Sequence, residues 1–226
     1  MSKPGRLLAI IIPFLIAATL FIWGGLKLSR YPAAIAATTS STSNGAEASL
    51  TMQTVPALGS GPHPDWVSYL IQRPDGQWVH TTMLQVPAHA LVHVTILQYD
   101  TGSDLRNPLM NQPQGTVGGT ITVNGQTVDA LTPKNDAPGI GHTFTIPALG
   151  VSVPLEGVPD TAKNPCSAAP CTTNYSHNTI QFEFRTGAAG LYHWQCFVPC
   201  GTAFLYGNGG PMQTLGFMGG FLKVVA

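Results

Sequence analysis

The residues best able to do chemistry in this 226-residue chain are its four cysteines and the histidines and methionines around them. Cys196 and Cys200 stand four positions apart, with His193 just before them and Met212 and Met218 in the stretch beyond. Cys166 and Cys171 bracket a separate short loop, CSAAPC. Thiolate, thioether and imidazole together are donors for a soft transition-metal ion. Four cysteines in an extracytoplasmic domain also read as two disulfides, Cys166–Cys171 and Cys196–Cys200. Spacing alone leaves both readings open.

Other polar residues point to less. His89 and His93 share one face of a strand and read as solvated edge positions, while His63 and His80 have no informative spacing. His177 precedes a strand and could fold back, but nothing requires it. Gly-x-Ser-x-Gly is absent, Glu183 and Asp129 lack a partner at a defined spacing, and GNGGP at 207–211 has neither the Lys nor the helix of a phosphate loop. Catalysis by this chain alone is therefore not expected. Only 9% of the residues are charged, against about 25% in ordinary soluble domains. That scarcity excludes a nucleic-acid binder driven by phosphate neutralisation and a charge-swollen disordered chain.

The elements that must position these side chains are short strands. With 25 Gly and 19 Pro, turns are frequent, and an all-β design is favoured. In 89–98, Ala90, Val92, Val94 and Ile96 alternate with polar residues, the period-2 pattern of a half-buried strand. Asn124-Gly125 between β-rich arms signals a hairpin over 120–128. Further strands are predicted at 77–85, 142–146, 179–185, 190–197 and 220–226. Strands separated by Gly/Pro turns indicate a sandwich or barrel. An immunoglobulin-like sandwich shares that architecture.

Three stretches carry a family likeness: VPAHALVHVTILQYD at 86–100, HTFTIPALG at 142–150 and GAAGLYHWQCFVPCG at 187–201. The ending GFMGGFLKVV at 216–225 adds a Met-Gly motif. By these the chain resembles the cupredoxins, and within them the copper domain of cytochrome c oxidase subunit II. The resemblance covers roughly the last 140 residues, with insertions between Asp100 and His142 and near 155–177. It implies an all-β, cupredoxin-like Greek-key sandwich that binds one or two copper ions. His142, Cys196, Cys200 and Met218 are the implied ligands, with Met212 as second choice for the thioether. The family's second copper histidine has no counterpart: Phe204 and Gly207 stand where subunit II has His and Met, and Pro199, Cys200 and Gly201 fill the mononuclear alternative. A mononuclear His142, Cys196, Cys200 and Met218 site would be soft enough to favour Cu(I).

The N-terminus is read separately. Residues 1–30 contain Lys3, Arg6, Lys27 and Arg30 and no acid, around an uncharged run from Leu7 to Leu26. Twenty residues at about 1.5 Å each match a bilayer core of about 30 Å. Residues 1–30 are thus expected to be a transmembrane signal-anchor, 31–55 an Ala/Ser/Thr-rich linker, and 56–226 the folded domain. A cleaved signal peptide is the alternative, because AAIAA comes next. The expected product is a single-pass cell-membrane protein with its domain on the extracytoplasmic side. Three functions fit: a copper electron-transfer domain beside a respiratory oxidase, a Cu(I) carrier or assembly factor, and a copper-free structural or interaction subunit. The expected partners are the membrane and respiratory-complex subunits or a small redox protein, and no nucleic acid.

Overall fold

The computed structural model describes residues 3–28, 33–43, 45–102, 107–131, 139–200 and 210–226, with side chains in the first segment described for 11–24. The chain forms two compact units, Met1–Ala33 and Ala34–Ala226. The first holds one helix, α1 (Lys3–Leu28). Phe14, Leu15, Leu20, Phe21, Ile22 and Trp23 on it are exposed. Among the described residues, no helix is long and apolar enough to cross a membrane.

The second unit is all-β, and its described residues form fourteen strands in two sheets. They are β1 (Ile35–Ala36), β2 (Thr38–Thr42), β3 (Gly45–Val55), β4 (Ser68–Gln72), β5 (Trp78–Val79), β6 (Met83–Pro87), β7 (Leu91–Gln98), β8 (Ile121–Val123), β9 (Gln126–Val128), β10 (Ile140–Ile146), β11 (Val151–Glu156), β12 (Asn178–Arg185), β13 (Gly190–Gln195) and β14 (Gly219–Val225). One sheet runs β1-β6-β14-β13-β10-β11; the other runs β5-β4-β3-β7-β12-β8-β9, with β2 also paired to β3. Val92, Val94 and Ile96 of β7 are buried while Leu91, His93, Thr95 and Leu97 are half-exposed, as the alternation requires. Asn124 and Gly125, with φ of 50° and 83°, make the left-handed turn between β8 and β9 that this pair favours.

Three expectations about this unit need correction. The segment 35–55, expected as a linker, builds three strands, and β3 runs parallel to β7 through the middle of its sheet. Ala48, Leu50 and Met52 alternate into the core there; the Ser/Thr-rich composition hid them, although Thr is a good strand residue. For the same reason β7 is no edge strand: β3 and β12 flank it. His93 is accordingly engaged, with Nδ1 2.9 Å from Glu183 and Nε2 3.5 Å from Glu47. The strand expected over 77–85 is broken into β5 and β6.

The core lies between the two sheets. Trp194 on β13 is fully buried, donates its indole N–H to Thr82 C=O at 3.0 Å, and meets Tyr69 of β4 edge-on at 5.0 Å. Phe144 of β10 packs on Phe182 of the opposite sheet. These contacts hold β10 and β13 side by side, with Thr145 opposite Gln195.

Candidate metal centre

β10 and β13 end beside one another, and their ends bring three donors together. His142, Cys196 and Cys200 are buried, with one ligand atom from each within 4.8 Å of the others. His142 Nδ1 stands 2.9 Å from Cys200 Sγ and 3.8 Å from Cys196 Sγ, and the sulfurs are 3.3 Å apart. An ion bound at about 2.0 Å to nitrogen and about 2.3 Å to sulfur needs donors at roughly this mutual spacing. Among the described residues this is the only such group of His, Cys, Asp and Glu side chains.

Local structure explains the placement. The β10–β11 pairing slips between Ile140 and His142, a bulge that leaves Gly141 as the extra residue and re-aims the side chain of His142. A Cβ at Gly141 would sit 2.8 Å from Thr101 C=O, so only glycine fits. Cys196 comes directly after β13, and its N–H donates to Met218 C=O at 2.8 Å, extending the β13–β14 ladder by one residue. Cys200 is turned back toward Cys196 by its N–H donating to Val198 C=O at 2.7 Å.

Asp100, just beyond β7, completes the arrangement. Its Oδ2 accepts from His142 Nε2 at 3.0 Å and its Oδ1 from Thr101 N–H at 2.8 Å. With Nε2 so engaged, Nδ1 is left facing the sulfurs, the orientation a carboxylate imposes on a metal-binding imidazole. Burial pushes the His142 pKa down, but hydrogen bonds to Asp100 and Cys196 outweigh it and raise the value to about 9. Burial alone would raise the Cys196 thiol, yet hydrogen bonds from Cys200 and His142 and the Thr143 N–H hold it well below its usual value. Cys200 is pushed up, first by its hydrogen bond to Cys196 and then by burial. These opposite shifts favour negative charge on Cys196 over Cys200, with the two sulfurs 3.3 Å apart and the His142 ring between Asp100 and Cys200. Tyr69, whose ring lies 6.3 Å from that of His142, is raised by burial and by both cysteines.

Of the residues singled out in the sequence, His142, Cys196 and Cys200 meet. Met218 is fully buried at the register position opposite Cys196, where cross-strand side chains share a face. Met212 instead lines an open cavity of about 320 Å³ with His193 and Gln195, residues that alternate away from Cys196 along β13. Cys166 and Cys171 form a disulfide, whereas Cys196 and Cys200 are free, so the second bridge left open by the spacing is not formed. His177 Nδ1 bonds Tyr175 C=O, and its ring lies by Tyr99. Phe204 and Gly207 lie outside the described residues. Asp100 was missed as a site residue; its closing position in the 86–100 stretch was the available signal.

A two-sheet β-sandwich with a buried His–Cys–Cys cluster at one end is the class that fold and site define. Solved structures similar to the chain are of rusticyanin: one of the copper protein at 16% identity and TM-score 0.32, covering 84% of this chain and 88% of that one. Another, from Thiobacillus ferrooxidans, has 18% identity and TM-score 0.31, covering 84% and 87%. Reduced rusticyanin gives 19% and 0.30, covering 79% of each chain. No family model and no curated protein matches the chain.

Proposed function

We propose that this chain is a cupredoxin-like, copper-binding electron-transfer protein whose single ion is held by His142, Cys196 and Cys200, with Met218 as fourth donor. The observation that carries the reading is the line Asp100–His142–Cys200: Nε2 donates to the carboxylate at 3.0 Å while Nδ1 stands 2.9 Å from a buried sulfur. Copper would supply a one-electron couple there. The chain's own residues keep the donors together: Asp100 fixes the imidazole, Thr143 N–H steadies Cys196, and the strands carrying them are tied by Trp194 and Tyr69. Little rearrangement would accompany electron transfer from donors so held. The uncharged run Leu7–Leu26 and the exposed apolar side chains of α1 support an N-terminal membrane anchor, with the domain on the extracytoplasmic side. Work beside a respiratory complex rests on the subunit II-like motifs.

One observation favours a second reading, Cu(I) carriage. Two sulfurs and one imidazole form a softer set than a site with two histidines, and soft donors select Cu(I). Copper analysis with visible spectroscopy separates the two. Electron transfer requires about one copper per chain and an intense sulfur-to-copper band on oxidation, lost in Cys196→Ser. Copper that stays colourless under oxidants indicates the carrier, and a reduced chain that takes up no copper refutes both.

A further inference from the structure

The outer face of β13 gathers two soft donors that the buried centre leaves unused. His193 is exposed there, two residues before Gln195 on the same face and on the side away from Cys196. The edge contact of its ring with Phe221 of β14, at 5.4 Å between centroids, steadies the imidazole. No hydrogen bond engages either ring nitrogen among the described residues. The turn that follows residue 209 folds over this face: Gln213 and Thr214 N–H both donate to Gly210 C=O, at 3.2 and 3.1 Å. Gln195 Nε2 donates to Met212 C=O at 3.1 Å and so fixes the turn against the strand. Met212 is thereby half-buried on the cavity of about 320 Å³ that His193, Gln195, Gln213 and Thr214 also line. Its three rotatable bonds let the thioether swing toward the imidazole.

We propose that His193 and Met212 form a second metal site, open to solvent, that takes Cu(I) through the imidazole and the thioether, beside the single ion of the buried centre. The donor set selects the ion. No carboxylate lines the cavity among the described residues, so hard cations such as Ca(II) and Mg(II), which need several oxygen ligands, find little there. Zn(II) is held by cysteine, histidine and carboxylate, and His193 alone qualifies. A thioether beside an imidazole suits Cu(I). The remaining coordination position faces the cavity, where water or a donor atom of the molecule delivering the ion has room. With two protein donors against four, the open site fills after the buried one. Binding here rests on its own two side chains; only the order of filling rests on the copper reading.

The test uses the full chain, kept free of oxygen with ascorbate and titrated with Cu(I) from a competing chelator. Methionine methyl and histidine ring signals are followed by NMR, assigned with Met212→Leu and His193→Gln. A first equivalent should move Met218 and His142, and a second should move Met212 and His193. Each variant should bind the second equivalent at least tenfold more weakly and the first within twofold of wild type. Met212→Leu conserves volume, so its unfolding midpoint should stay unchanged and separate lost ligation from lost structure. A second equivalent that leaves Met212 and His193 unmoved overturns the proposal, as does one bound equally well by Met212→Leu, or no second equivalent at all. Cu(I) taken up at Met212 and His193 in a chain that binds none at its cysteines overturns the copper reading of the buried centre and upholds the open site. A chain that binds no Cu(I) overturns both.

Discussion

Replacing Asp100 by Asn keeps the side chain's size and an acceptor oxygen but removes the charge facing His142. The interaction that loses its charge is the 3.0 Å hydrogen bond from a histidine that is 3% exposed to a carboxylate that is 22% exposed. A hydrogen bond to a charged group is worth about 1.5–3 kcal/mol, and about 1.4 kcal/mol is tenfold in affinity. Removing a carboxylate that orients a ligating histidine typically costs about 10- to 100-fold in metal affinity. Both routes agree, so D100N should bind Cu(I) about 10- to 100-fold more weakly in chelator competition on the reduced chain. A second readout separates orientation from unfolding. In the metal-free protein, the His142 proton should titrate well below the wild-type value of about 9, as read by NMR of the imidazole carbons. Cu(I) affinity within twofold of wild type, in a variant whose unfolding midpoint is unchanged, would refute the role of Asp100 and weaken the assignment of Nδ1 as ligand.

Three further outcomes are expected. Trp194→Ala removes a fully buried indole between the sheets, and should lower stability by about 3–5 kcal/mol in urea unfolding; less than 1 kcal/mol would mean that Trp194 does not tie the strands of the centre. Cys166→Ser with Cys171→Ser opens a loop with sequence separation 5, and the loop-entropy relation gives a loss of about 2 kcal/mol, with Cu(I) uptake by the reduced chain unchanged. The pH profile of the reduced, metal-free chain reflects opposite shifts. His142, raised from 6.5 to about 9, stabilises fully below 6.5 and loses that contribution as pH rises through about 9. Cys196, lowered from 9.0, contributes fully above that value and loses its contribution as pH falls through its folded pKa. Between about 6.5 and 9 the folded pair holds one proton on His142 and the unfolded pair one on Cys196, so stability should be level there and fall toward acid. A urea midpoint that drops steadily from pH 6.5 to 8.5 would contradict the ion pair.

Strand positions were the legible part: β7 writes its burial into every second residue, and β10, β12, β13 and β14 lie where His142–Ile146 and the three later β-rich runs between Gly/Pro turns put them, although β10 is buried at every position. The Asn124-Gly125 hairpin was equally plain. β2 and β3 were not, since Thr, Ser and Ala form strands or tethers according to what pairs with them, and here β7 supplies the partner from elsewhere in the chain. The candidate donors came from a family likeness, whereas their meeting depends on tertiary pairing. Asp100 is 42 residues from His142, and the Gly141 bulge that re-aims the imidazole is a slip against β11, with Thr101 and Gln98 packed over the glycine. The state of Cys196 and Cys200 was open in the sequence because bridging and ligation ask for the same two sulfurs at the same spacing.

The most direct test of the centre is X-ray absorption at the copper edge on the reduced chain loaded with Cu(I). Two thiolate sulfurs at about 2.3 Å and one nitrogen at about 2.0 Å around a single copper, with the Met218 thioether as a further, more distant sulfur and one thiolate lost in Cys196→Ser, are the expected result. Copper surrounded only by nitrogen and oxygen, or unchanged by Cys196→Ser, would place the metal elsewhere and contradict the site.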